Sequence, residues 1–177
     1  MKLLRLLPSR PPPVPPGDIS TRNRALVAMV PWRLCRITDL PWTHLRALAV
    51  HQKGPDRTPE EIIAELGERK VLGLAEIPMD LLRLQVMNDP DRRLDGFTYF
   101  EEYHEFFLSV EGKNTPRHPR RDRWPVILSG LLRDRDTIWD GWHRFHSYYR
   151  ASAKSVPAMW YADEYPVVHT KRRQKKG

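Results

Sequence analysis

The sequence contains a single cysteine, Cys35. That excludes a disulfide framework within the chain and leaves a redox role without a resolving thiol, so the plain role of Cys35 is a small buried hydrophobe. Long apolar runs are also missing. No stretch approaches the roughly 18 residues that span a bilayer, and no membrane insertion is expected. The opening MKLLRLLP is interrupted by Arg5, stopped by Pro8 and followed by no small-residue cleavage site, so export is not expected and the chain is expected to be cytoplasmic. There is no CxxC, P-loop, GxSxG or HExxH pattern and no internal repeat, which withdraws support from zinc, classical ATPase and serine-hydrolase readings. Acid is in short supply: 22 Asp and Glu face 30 Lys and Arg, a net charge of +8 over 177 residues. Such a surface favours acidic partners, nucleic acid first, or an acidic protein face.

What is present divides into four stretches. Residues 1–24 form a proline-rich arm, with Pro8, Pro11, Pro12, Pro13, Pro15 and Pro16 fixing backbone angles and removing donors. Residues 25–71 are expected to be a helical extension packed on the core, since so few residues bury too little to stand alone. Within it Trp32 to Ile37 alternates as a strand of open facing, and a helix is expected over Pro41 to Val50. Thr58-Pro59-Glu60-Glu61 supplies an N-cap, a proline at the first helical position and a glutamate three residues on, which predicts a helix from Pro59 to Lys70 with Ile62, Ile63, Leu66 and Val71 inward. Residues 72–163 form the main domain. A helix over Phe97 to Val110 would turn Phe100, Tyr103, Phe107 and Val110 to one side. Glu101 and Glu105, four apart with His104 between, are candidate ligands for a divalent metal, set against the alternative of a solvated helix face. Lys113 to Arg123 is a basic loop in which Arg117, Arg120, Arg121 and Arg123 could follow a phosphate backbone. Residues 164–177 are a basic tail whose Lys171, Arg172 and Arg173 add affinity for DNA.

The densest information lies between Trp124 and Tyr161. Val126-Ile127-Leu128, a polar turn at Arg133 to Asp136, and Thr137-Ile138-Trp139 read as a hairpin. Phe145, Tyr148, Tyr149 and Ser152 then recur at helical spacing, and Ser155-Val156-Pro157 opens another extended run. Asp140-Gly141-Trp142-His143-Arg144 therefore sits where a strand gives way to a helix. The first N–H groups of a helix lack partners within it and favour an anion. Gly141 admits a ligand to the backbone, while His143 adds a titratable donor and Arg144 a planar fork for two phosphate oxygens. The plain alternative is that Asp140 caps the helix and His143 and Arg144 are solvated first-turn residues.

This run resembles the ParB/sulfiredoxin superfamily, especially its ParB-like nuclease branch, over about fifty residues. The likeness extends loosely to Glu76-Ile77-Pro78-Met79-Asp80-Leu81-Leu82 and to Met87-Asn88-Asp89-Pro90-Asp91-Arg92-Arg93. The resemblance implies an α+β fold, a small mixed sheet with surrounding helices, and nucleotide binding by Gly141, Trp142, His143 and Arg144, with Arg92 and Arg93 contributing. It implies ATP or another nucleoside triphosphate as ligand, with Mg²⁺, and hydrolysis of that nucleotide, cleavage of DNA, or both, in which Arg144, His143 and Asp140 would be the catalytic residues. Trp142 stands where sulfiredoxins carry their catalytic cysteine, so reductase chemistry does not carry over. Small plasmid-borne fertility-inhibition proteins share the fold, which implies a conjugation or secretion-system protein as a further partner and leaves open an inhibitor or DNA-binding module without turnover.

Overall fold

The computed structural model describes residues 30–53, 56–87, 96–119, 123–129 and 138–162. The proline-rich arm, the basic tail with Lys171, Arg172 and Arg173, the turn at Arg133 to Asp136, and Arg92, Arg93, Arg120 and Arg121 lie outside the described residues.

Strand β1 (Trp32–Arg36) leads through a 3-10 turn (Ile37–Asp39) into α1 (Trp42–Lys53) and α2 (Pro59–Leu66). Then follow β2 (Val71–Pro78), α3 (Met79–Met87), α4 (Phe100–Glu111), β3 (Val126–Leu128), β4 (Ile138–Asp140), α5 (Trp142–Arg150) and β5 (Ser155–Tyr161). The described residues thus form an α+β architecture with five α-helices and a five-stranded mixed sheet ordered β1-β2-β5-β3-β4. Only β3 and β5 pair in parallel, because α5 carries the chain from the β3–β4 hairpin back to β3.

Alternation along the strands sorts the side chains onto two faces. Ile77, Val126, Leu128, Val156, Ala158 and Trp160 pack with residues of α3, α4 and α5. Leu72, Leu74, Ile127, Met159 and Tyr161 pack with Cys35, Ile37, Leu45, Leu48 and Ile62 from the upstream segment. Helices therefore cover both faces, and central β5 is buried from Val156 to Tyr161 without interruption. Each fully buried large side chain contributes about 1.5–3 kcal/mol. β1 hydrogen-bonds along β2, which places the upstream segment within the sheet itself and puts residue 71 inside a strand. Gly73 lies opposite Trp160 in the register, and the indole fills the space where a Cβ would stand.

Local signals explain most element boundaries. Thr58 Oγ1 accepts from the Glu61 N–H at 3.2 Å and Glu61 Oε2 from the Thr58 N–H at 2.9 Å, the reciprocal cap expected there. The helix ends at Leu66 rather than Lys70, since Gly67 at φ 87 turns the chain and its N–H closes on the Ile63 carbonyl. Val71 consequently opens β2 and is not on that helix. α1 runs past Val50 to Lys53, and α4 begins at Phe100, where Glu102 Oε2 accepts from the N–H groups of Thr98 and Tyr99. The buried side of α4 is rotated from the expected one: His104 is buried and Val110 is 63% exposed. In β1, Cys35 faces inward while Trp32 and Leu34 are exposed on the opposite side.

Candidate functional site

The hairpin ends in an irregularity that shapes everything after it. Ile127 stands opposite Asp140 and Leu128 opposite Ile138, so Trp139 is an extra residue in β4. A bulge of this kind re-aims side chains. Trp139 and Asp140 both meet the end of α1: the Trp139 ring stands 5.1 Å from that of His51 at 68°, and His51 Nδ1 is 3.5 Å from Asp140 Oδ2.

Gly141 turns the strand into α5 at φ 98 and ψ 26, where glycine meets no steric cost. It is the N-cap residue, and no side chain among the described residues caps this helix end. Asp140 thus does not act as the cap. Its Oδ1 accepts the Gly141 N–H at 2.6 Å and its Oδ2 accepts Arg144 Nη2 at 3.2 Å. Burial pushes the Asp140 pKa up, but the His51 hydrogen bond, the Arg144 charge and the Gly141 N–H together hold it below the ordinary value. The carboxylate is therefore ionised near neutral pH.

Arg144 folds back over the turn. A Cβ placed on Gly141 would lie 2.8 Å from Arg144 Nε and 2.9 Å from its Nη2. The guanidinium side chain is 21% exposed, and its Nη1 is buried with no hydrogen-bond partner among the described residues. Burial draws the Arg144 pKa down, and Asp140 and then Tyr148 oppose that shift. An arginine so placed stays charged and keeps a donor in reserve.

His143 and Trp142 turn elsewhere. The Thr115 hydroxyl donates to the Glu111 carbonyl at 3.1 Å, so His143 Nδ1–H donates to Thr115 Oγ1 at 2.9 Å. His143 Nε2 lies 3.9 Å from Glu111 Oε2, and its ring tilts against Phe107. His143 therefore stands on the α4 side of α5, away from the Asp140–Arg144 pair. Trp142 Nε1 donates to the Ile138 carbonyl at 3.1 Å, pinning the turn to the strand before it.

The structure does not assemble the proposed metal ligands. Glu101 Oε1 accepts the Tyr149 hydroxyl at 3.2 Å and pairs with Arg83 at 3.1 Å, Glu105 is exposed, and His104 points into the core. Among the described residues no group of three or more His, Cys, Asp or Glu side chains is gathered to hold a metal ion. Of the loop arginines, Arg117 is exposed, while Arg123 Nη2 binds Glu76 Oε2 at 2.9 Å and the Ser155 carbonyl at 3.1 Å. No helix among the described residues is long and apolar enough to cross a membrane.

No family model, curated protein or solved structure matches this chain. The functional reading therefore rests on the geometry of the β4–α5 turn. Sequence reasoning missed His51 and Trp139 as members of that turn; the only signal for Trp139 was its place beside Asp140, and none pointed to His51.

Proposed function

We propose that the β4–α5 turn binds the phosphates of a nucleotide. The observation that supports it is the Arg144 guanidinium, held over Gly141 at an uncapped helix end with Nη1 buried and unpartnered. Asp140 keeps Nη2 and so fixes the plane of the fork, leaving Nη1 for a phosphate oxygen. The helix end adds its own preference for negative charge. Asp140 then orients Arg144, with Gly141 and His51 holding the same carboxylate in place. Trp139, 51% exposed on the same side, offers a stacking surface for a base, which favours a nucleotide over inorganic phosphate.

The resemblance to the ParB/sulfiredoxin superfamily supports the same assignment and adds hydrolysis of a nucleoside triphosphate such as ATP, with Mg²⁺ entering on the triphosphate. Arg144 would stabilise charge developing on the phosphoryl oxygens. Trp32 and Leu34, exposed on edge strand β1, favour a second reading in which the nucleotide is held without turnover and the protein docks on a partner such as a conjugation or secretion component.

The test is calorimetric titration with ATP and with inorganic triphosphate, beside phosphate release in the presence of Mg²⁺. Wild type should bind both ligands. Arg144→Ala should abolish binding with the fold intact, and Arg144→Lys, which keeps charge but loses the fork, should weaken it about tenfold. Binding that survives Arg144→Ala would remove the turn from the function, and binding without phosphate release would select the second reading.

A further inference from the structure

The seam between α4 and α5 is closed by two histidines, one from each helix. His104 Nδ1 and His146 Nδ1 are 2.7 Å apart. Their rings are inclined by only 17° with centroids 5.0 Å apart, whereas His146 and Phe107 lie face to face at 3.8 Å and 9°. The imidazoles are thus nearly coplanar and joined edge to edge. His146 is 0% and His104 7% exposed, with Phe107 stacked on one and Phe100 stacked near both.

A contact of this length between two ring nitrogens needs one N–H and one lone pair. A neutral pair satisfies it, and so does a pair carrying one added proton. Two added protons set N–H against N–H and break it. In an opened seam each imidazole takes up its own proton near pH 6.5. Below that pH the open seam moves toward two added protons while the closed seam holds one at most, and falling pH favours opening.

The surroundings act in both directions. Burial lowers the His104 pKa, Arg150 adds to that, and Glu105 and Glu101 oppose it. Arg83 lies over the rings of Phe100 and Tyr149, adding positive charge on the α3 side. His143, on α5 itself, faces Glu111 and Thr115 across the same seam.

We propose that the His104–His146 pair is an acid-sensitive clasp that locks α4 to α5 near neutral pH and releases it as pH falls below about 6. Opening parts His143 from Thr115 and loosens the helix whose first turn carries Arg144. The clasp stands whatever that turn binds.

Hydrogen exchange of the α4 and α5 amides at pH 7.5, 6.5 and 5.5, corrected for the intrinsic rate, reads the opening constant directly. It should rise about tenfold between pH 6.5 and 5.5. Long-range nitrogen–proton spectra of the wild-type imidazoles should show one shared Nδ1 proton at pH 7.5, with a second added proton gained only together with the rise in α4 and α5 exchange. His104→Gln keeps a hydrogen-bonding partner for His146 without titrating, so the seam should stay closed and the pH dependence flatten. An unchanged slope in His104→Gln, or two wild-type histidines titrating independently near 6.5, overturns the clasp. If His104→Gln does not fold, the wild-type spectra decide alone.

Discussion

Replacing Gly141 by alanine probes the turn through two separable costs. At φ 98 and ψ 26 the Cβ of an L residue crowds the following carbonyl, at about 1–2 kcal/mol. The same Cβ would stand 2.8 Å from Arg144 Nε and 3.1 Å from its Cζ, so the guanidinium must withdraw. Withdrawal breaks the 3.2 Å bond from Arg144 to Asp140, a partly exposed pair whose loss costs about 1 kcal/mol after solvent screening. The total is about 2–3 kcal/mol, which for a chain of this size lowers Tm by about 5–10 °C. Urea and thermal denaturation followed by circular dichroism measure it. In an Arg144→Ala background the second cost has already gone, so Gly141→Ala should then cost only the backbone share, about 1–2 kcal/mol. A Gly141→Ala protein within about 0.5 kcal/mol of wild type, or an equal cost in both backgrounds, would refute the description of Arg144 lying over the turn.

Two further outcomes follow from the packing. His44 has its pKa lowered to about 4, first by burial and then by Arg33, with Glu76 opposing. Because the unfolded histidine binds protons near 6.5, the stability that His44 contributes is complete above that pH and drains as pH falls toward 4. About 1–2 kcal/mol should be lost by pH 5 after allowance for partial exposure, and His44→Gln should remove that share of the pH dependence of the urea midpoint. Should wild type and His44→Gln show the same pH profile, His44 is not neutral in the folded protein. Gly73→Ala places a Cβ 2.1 Å from Trp160 Cε2 at the centre of the sheet. The indole must leave its buried site, at about 2–3 kcal/mol with a red-shifted tryptophan emission, and an unaltered spectrum would show that Trp160 does not pack there.

The elements whose causes are local were legible in the sequence. The Thr58–Glu61 cap and Pro59 announced α2 because both hydrogen bonds close within four residues. The strands at 126–128 and 138–140, the glycine and helix that follow, and the strand ending at 161 followed from apolar spacing and from Pro157. Gly141 as the pivot into α5 was also readable, since few residues tolerate its backbone angles. Errors arose where a local rule met a competing one. Gly67 ended α2 a turn early, and the exposed Val110 gave its expected place on α4 to a histidine.

Which residues act together was decided by the tertiary structure. His51 reaches Asp140 because α1 covers the second face of the sheet and its last turn ends beside β4, a relation that no spacing along the chain encodes. The bulge that sends Trp139 to the same side depends on how β3 and β4 pair. His104 stood in the sequence only beside two candidate metal ligands and His146 carried no assignment, and only the crossing of α4 and α5 brings their Nδ1 atoms into hydrogen-bond contact. Likewise Glu101, His104 and Glu105 shared a pattern in sequence but not a direction in space. Periodicity along a chain states which side of an element is apolar. The partner of each polar group on that side is set by the packing of distant elements, because hydrogen bonds and ion pairs act over a few ångströms while the sequence separates their members by whole helices and strands.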